Sequence, residues 1–303
     1  MTTVTTIDAE KGALRRPRTA IIAGNGLLPI KVAETLKANG MPPFVLPLRD
    51  EADRSLYEYD HQEISVIDFG MLISAMRRAG VSQVVLAGGV RNRPHLSDLK
   101  LNWPTLCAVP YVLGALGKGD DALLRAFINL LERFNFKVVG AHEVVPDLLS
   151  PFPAQNLTRK TCDVRERQNT LLAMEAALRL GDLDVGQGAI ATGGRVVALE
   201  GAEGTDLMIE RVRELRAAGR IPKRGGVLVK MAKPRQDERA DLPAIGLSTV
   251  ENAALAGLAG IAVEAERTFI LGFAETIAAA NEKGLFIETI SRAMAESKKG
   301  EQE

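Results

Sequence analysis

The chain has 303 residues, enough for about two domains that each bury a sizeable core, and its 46% hydrophobic and 25% charged residues are ordinary for a globular protein. Its 38 basic and 38 acidic side chains cancel, which leaves no overall field to attract a polyanion and argues against nucleic acid as a partner. Cys107 and Cys162 show no metal-ligand spacing, and His61, His95 and His142 are scattered; a reducing compartment is expected, without a zinc site or a nucleophilic triad.

Residues 1–18 are polar and end in Arg15-Arg16-Pro17-Arg18 with no apolar stretch behind them, so a flexible arm is expected there and not a signal peptide. No apolar run approaches the roughly 18 residues that a membrane span requires, and a cytoplasmic protein is expected. Residues 19–23 read as a short strand leading into Gly24-Asn25-Gly26-Leu27-Leu28-Pro29. A helix follows to Asn39, with Ile30, Ala33 and Leu36 at helical spacing and Gly40 as its stop. Strand, glycine turn and helix resemble the first unit of a dinucleotide-binding fold, in which helix-start amides receive an anion. A third glycine is missing, however, and Leu27 and Leu28 stand where small residues would admit a pyrophosphate.

A second strand is expected at 44–48, a helix at 69–79 and a third strand at 83–87. That strand opens into Gly88-Gly89-Val90-Arg91-Asn92-Arg93, where arginine forks suit phosphate oxygens. Helices are expected between 96 and 116. Another, at 122–134, follows Asp120 and Asp121, which favour a helix start, and a strand follows at 136–139. Strands alternating with helices imply a parallel sheet covered on both faces. The proline-rich stretch 146–158 reads as a linker between domains at 19–145 and 159–296, with a polar tail at 297–303.

In the second half, a long helix is expected at 164–180, and strand-like runs at 185–191 and 195–199 form a hairpin through Thr192-Gly193-Gly194. Thr205 or Asp206 is a natural N-cap for a helix carrying Met208, Val212 and Leu215 on one face, and Ser248 or Thr249 for the helix after it. Residues 263–273 read as partly strand-like and 274–283 as helical.

The strand at 227–230 delivers the chain into its densest cluster of opposite charges, running from Lys230 and Lys233 through Arg235, Asp237, Glu238, Arg239 and Asp241 to Pro243. Charge runs usually face water, but a loop at the carboxyl end of a strand is where α/β sheets hold ligands. Glu200, Glu203, Asp206, Asp237 and Asp241 could hold a hard cation such as Mg2+, while Lys230, Lys233, Arg235 and Arg239 could clamp phosphate oxygens. The mixture suits phosphoryl transfer or diphosphate hydrolysis.

Glu203-Gly204-Thr205-Asp206, Val227-Leu228-Val229-Lys230, Lys233-Pro234, Gln236-Asp237, Arg239 and Asp241-Leu242-Pro243 with Ile245-Gly246 resemble the LpxI family of UDP-2,3-diacylglucosamine pyrophosphatases. The Gly24-x-Gly26-x-Leu28-Pro29 turn, the Gly88-Gly89-x-Arg91 turn and Gly119-Asp120-Asp121-Ala122-Leu123-Leu124-Arg125 match as well. The resemblance spans residues 19–290. It implies an α/β fold of two domains, a Rossmann-like parallel sheet and a smaller mixed α/β domain joined by a proline-containing linker, with substrate between them. It implies Mg2+-dependent hydrolysis of UDP-2,3-diacylglucosamine to 2,3-diacylglucosamine 1-phosphate and UMP, in the lipid A biosynthesis of Gram-negative bacteria.

On this resemblance an aspartate of the C-terminal motif is essential, Asp237 first and Asp241 second, with Lys230 and Lys233 as further catalytic candidates. Asp237, Asp241 and Asp206 are the metal candidates. Gly24, Gly26, Leu28, Gly88, Arg91, Gly204, Thr205, Gln236 and Arg239 are the substrate-binding ones. The acyl chains require an apolar groove, for which residues 247–258 or the helices around Leu113 are candidates. A homodimer and a peripheral contact with the inner membrane are the implied associations. Two other readings of the same residues stand beside this one, a nicotinamide-dependent oxidoreductase and a non-catalytic nucleotide-sugar binding protein.

Overall fold

The computed structural model describes residues 18–65, 68–90, 120–234 and 237–294. The expected arm and tail, the helices expected between 96 and 116, and the candidates Arg91, Arg235 and Gln236 lie outside them. The first half alternates strand and helix: β1 (Arg18–Ala23), α1 (Leu28–Ala38), β2 (Phe44–Pro47), β3 (Asp60–His61), α2 (Phe69–Arg78), β4 (Val81–Ala87), α3 (Asp120–Arg133), β5 (Lys137–Val139) and the short α4 (Ala141–Val144). Its five strands are all parallel, in the order β3-β2-β1-β4-β5.

The side-chain period of two explains why the central stretch of β1 is apolar on both faces. Ala20 and Ile22 of β1 face α2 and α3 in one buried cluster, while Ile21 and Ala23 face α1 and α4 in another. Both faces are covered, so neither offers a polar side. Local signals fix the helix ends. Asp68 caps α2 by accepting from the Met71 amide, and Arg77 and Arg78 sit in its last turn, where the helix dipole favours cations.

The second half comprises α5 (Val164–Asp182), β6 (Gly188–Thr192), β7 (Arg195–Leu199), α6 (Gly204–Ala217), β8 (Val227–Lys230), β9 (Ala244–Ile245), α7 (Leu247–Leu255), β10 (Gly260–Glu264), β11 (Phe269–Ile270), α8 (Phe273–Lys283) and β12 (Phe286–Ile290). The five-stranded sheet runs β12-β10-β8-β6-β7. Its first three strands are mutually parallel, and the β6–β7 hairpin adds antiparallel to β8. Helices α6, α7 and α8 cover one face and α5 the other. β9 and β11 form a separate parallel pair.

Several local expectations are corrected. The strand-like run expected at 263–273 starts earlier, at Gly260, and breaks after Glu264; β12 was not anticipated. The N-cap of α6 is Glu203, without a side-chain hydrogen bond, so neither Thr205 nor Asp206 caps it. The first residue outside α7 is Gly246, whose amide donates to Thr249 Oγ1 at 3.3 Å, so Thr249 closes that turn from inside the helix. The stretch 146–158 is pinned to the second half: Ser150 donates to the Glu264 carbonyl at 2.7 Å, and the Leu157 amide to the Ile287 carbonyl at 2.8 Å.

Candidate functional site

In open α/β sheets the ligand crevice lies beyond the carboxyl ends of the strands, at the point where strand order reverses. In the first sheet that point falls between β1 and β4, whose last residues are Ala23 and Ala87. Both belong to a buried apolar cluster that also holds Val139, the last residue of β5, together with Ala232, Leu242 and Phe269 from the second half. Ala232 and Leu242 bracket the charged loop that follows β8. Burial of these flanking residues in the cluster that holds the strand ends brings the two ends of the loop to the first half of the chain.

Within the loop, Arg239 donates through Nε to Asp237 Oδ1 at 2.9 Å and through Nη2 to Oδ2 at 2.8 Å, and its Nη1 reaches Glu132 Oε1 of α3 at 2.7 Å. The hydrogen bonds from Arg239 hold the Asp237 carboxyl below the usual carboxylate range, and the two acids raise the guanidinium in turn. Lys233 donates to Asp184 Oδ1 at 2.6 Å, and the Asp121 amide of α3 reaches Asp184 Oδ2 at 3.3 Å. Asp121 is 7% exposed, and burial pushes its carboxyl upward against the opposing pull of Arg125. Thus α3 of the first half meets the charged loop through Glu132 and its surroundings through Asp121.

Lys230 closes β8 at 5% exposure. Its Nζ donates to Thr205 Oγ1 at 2.7 Å and lies 3.6 Å from Glu200 Oε1, to which the Thr205 hydroxyl donates in turn. Of the four cations the sequence offered as clamps for phosphate oxygens, the described Lys230, Lys233 and Arg239 are each paired with a carboxylate. A ligand diphosphate must exchange partners with them or be held by other groups. Gly204, at φ 80° in the first turn of α6, has open space where a Cβ would stand.

The glycines of the first half divide into two kinds. A Cβ on Gly24 would lie 2.1 Å from the Gly89 carbonyl oxygen, and one on Gly88 2.4 Å from that of Asn25. Those glycines let the β1 and β4 turns pack backbone to backbone, with the Asn25 and Gly89 amides bonding each other's carbonyls at 2.9 and 3.1 Å. Gly26 is different: its φ of 94° needs glycine, but its Cβ direction is open, two residues before α1. Leu28, the first residue of α1, is half-buried against the cluster beneath.

Asp206, Asp237 and Asp241 do not converge as a set of metal ligands: among the described residues no three of His, Cys, Asp or Glu form such a group. Asp206 is exposed on α6 and accepts from Asn252 of α7 at 3.0 Å. Asp237 has Arg239 on both oxygens. Asp241 is exposed, with the Gln187 amide 3.5 Å from one oxygen. Mg2+ keeps several waters and needs only one or two protein carboxylates alongside substrate phosphates, so the exposed Asp241 is the carboxylate of the three that could serve such a cation without a cluster. Leu247 and Leu255 of α7 are 42% and 67% exposed, whereas Val250 and Ala253 between them are core. Burial pushes the half-buried Cys162 thiol up to about 11, which removes it as a nucleophile near neutral pH.

Three acids of this region were absent from the sequence-level site. Asp184 sits at φ 56°, in the left-handed position one beyond the α5 C-cap Leu183, where glycine is usual, and the Val185 amide closes that turn on the Leu180 carbonyl. An aspartate in that place is a readable signal. Glu264 ends a strand with all five residues buried, and a carboxylate in such a strand needs partners. Asp121 lies in the Gly119–Arg125 stretch that matches the family, but as an acid in a first helical turn it gave no chemical sign of its own.

The family model described as the LpxI N-terminal domain matches residues 18–148, and that described as the LpxI C-terminal domain matches residues 153–288. A relative from Caulobacter vibrioides, named UDP-2,3-diacylglucosamine pyrophosphatase LpxI, is 40% identical over 269 residues, covering 88% of this chain and 95% of the relative.

Proposed function

The chain belongs to the LpxI family, and from that premise we propose that it hydrolyses the diphosphate of UDP-2,3-diacylglucosamine, with water attacking the β-phosphorus to give 2,3-diacylglucosamine 1-phosphate and UMP. The observation that carries this reading is the burial of both ends of the charged loop, Ala232 and Leu242, in the cluster that holds the last residues of β1, β4 and β5. That packing brings the ends of the loop to the strand ends of the other half, where α/β sheets hold ligands.

Asp241 is assigned to the reacting groups on the solvent exposure of its carboxylate, and Asp237, bound on both oxygens by Arg239, to the support of the loop. In this proposal Asp241 orients the attacking water and holds Mg2+; the cation, when bound, neutralises charge developing on the diphosphate. Asp237 fixes Arg239, and the pair shapes the loop. Lys233 and Arg239 exchange a carboxylate for a phosphate oxygen as substrate enters. The open Gly26 and Gly204 turns let backbone approach the ligand, the first at the start of α1 where helix amides favour an anion.

Among the described residues no helix is long and apolar enough to cross a membrane. The proposal includes a cytoplasmic enzyme in peripheral contact with the inner membrane, since a diacyl substrate resides at a lipid surface, and a homodimer. The exposed Leu247 and Leu255 support an apolar contact on α7.

The test is turnover of UDP-2,3-diacylglucosamine by the purified protein with Mg2+ or with EDTA, in 18O water, read by phosphorus NMR. Label in the sugar phosphate and loss of turnover in EDTA are expected. Label in UMP would overturn attack at the β-phosphorus, and absence of any UMP would overturn the activity.

A further inference from the structure

The loop between β8 and β9 is tied at two points to one buried side chain. Glu264, the last residue of β10, is 3% exposed. Its Oε2 accepts from the Ala232 amide at 2.9 Å, at the start of the loop. Arg292 closes the same corner: it pairs with both oxygens of Glu264 and donates to the Ala232 carbonyl. Arg267 reaches Glu264 Oε1 through Nη1 at 3.3 Å, and its Nε and Nη2 bond Glu238 Oε1 at 2.8 and 2.7 Å, between Asp237 and Arg239 in the loop. One carboxylate therefore holds the loop's first turn by its backbone and its middle through a guanidinium.

This arrangement exceeds what stability asks for. A buried charge needs compensation, which Arg292 alone would give with two contacts to the carboxylate. Arg267 adds little to that compensation at 3.3 Å, and its shorter bonds go to the half-buried Glu238. The Ala232 peptide is bracketed on both its amide and its carbonyl side, the pattern that removes freedom from a backbone joint.

We propose that Glu264 is a positioning residue for the reaction: acting through the Ala232 backbone and through the Arg267–Glu238 pair, it sets where the loop carries Asp237 and Asp241 relative to the diphosphate. The inference rests on the reading of that loop as the diphosphate site. Glu264 makes no contact with substrate in this scheme. Its effect is on the placement of groups that do, and small displacements of such groups cost rate steeply.

The experiment uses the full chain with Glu264→Gln, which keeps an acceptor for the Ala232 amide but loses the charge, and with the milder Arg267→Gln and Arg267→Lys. Wild type and variants are compared for kcat and KM of UMP release and for amide hydrogen exchange along the chain. Glu264→Gln is expected to lower kcat by about 10–100-fold with KM changed by less than about threefold, and to raise exchange from 231 to 241 only. Arg267→Gln is expected to raise exchange near Glu238 but not at Ala232, with a smaller fall in kcat that Arg267→Lys partly restores. Unchanged kcat in Glu264→Gln overturns the proposal, as does a loss of turnover with exchange raised throughout the protein. If wild type releases no UMP, the functional reading fails by itself. The positioning claim then stands or falls on whether the exchange effect is confined to the loop.

Discussion

Arg239 grips both carboxylate oxygens of Asp237, two residues away on the same loop, and holds that acid ionised below its usual range. The sign of its contribution to stability follows. A carboxyl whose folded pKa lies below its ordinary value of 3.8 stabilises the fold fully above that value, and the contribution is lost as pH falls through the lower folded pKa. Thermal unfolding of wild type and Asp237→Asn should therefore differ by a constant amount near neutral pH, and the difference should close only in acid below 3.8. A difference that varied between pH 6 and 8 would mean that the stabilising contact is not this pair. The acidic limb of the activity profile near neutrality should likewise be unaffected by Asp237.

The two loop aspartates should separate kinetically. Asp241 is exposed and Asp237 is held by Arg239, so Asp241→Asn is expected to abolish UMP release while lowering the free energy of unfolding less than Asp237→Asn does. Asp237→Asn should lose stability as well as rate, because Arg239 keeps only Glu132. Steady-state kinetics and urea titration on both variants decide this. Full turnover by Asp241→Asn would remove it from the reaction.

Much of the fold is written in local pattern. β1, β2, β4, β5 and β8 are short apolar runs bounded by glycine, proline or charge, and α2, α3 and α5 carry apolar residues at helical spacing. The layout was harder to read where one chemical pattern serves two structures. Residues 286–290 hold Glu288 and Thr289 among apolar neighbours, which weakens a strand signal. Only the fold supplies Arg167, whose fork meets Glu288 at 2.7 and 2.9 Å and allows the glutamate inside. The charged loop was visible as charge, but its pairing was not. That Lys233 meets Asp184 and that Arg239 meets Glu132 depends on contacts spanning 49 and 107 residues, which no local window contains. Gly24 and Gly26 look alike in sequence, and only the approach of Gly89 shows that one is closed by backbone and the other open.

Asp184 carries two opposed effects that one pair of variants can resolve. Its left-handed backbone costs an L-residue about 1–2 kcal/mol, which glycine avoids, while its carboxylate satisfies the mostly buried Lys233. Asp184→Asn loses the ion pair and keeps the backbone cost; Asp184→Gly loses the pair and relieves the cost. Both should be destabilised, Asp184→Asn by about 1 kcal/mol more than Asp184→Gly. Chemical denaturation gives the order directly. If the asparagine variant is the more stable of the two, strain at this turn does not contribute.

Lys230 poses the question of whether a buried cation beside the loop is machinery or support. With side-chain exposures of 6% and 8%, Lys230 and Glu200 lie in a medium where removing one partner leaves the other uncompensated, so Lys230→Met should cost about 3–5 kcal/mol. Adding Glu200→Gln neutralises the orphaned acid and keeps one acceptor oxygen, for either the Thr205 hydroxyl or the Gln187 amide. The double variant should then be more stable than Lys230→Met alone, by a coupling of at least about 1 kcal/mol in a double-mutant cycle. Turnover measured on the same proteins separates the roles. If Lys230 acts only by supporting the end of β8, kcat should recover along with stability in the double variant. A double variant that refolds well and still fails to release UMP would place the Lys230 ammonium on the substrate, meaning that its pairing with Glu200 and Thr205 opens when the diphosphate binds.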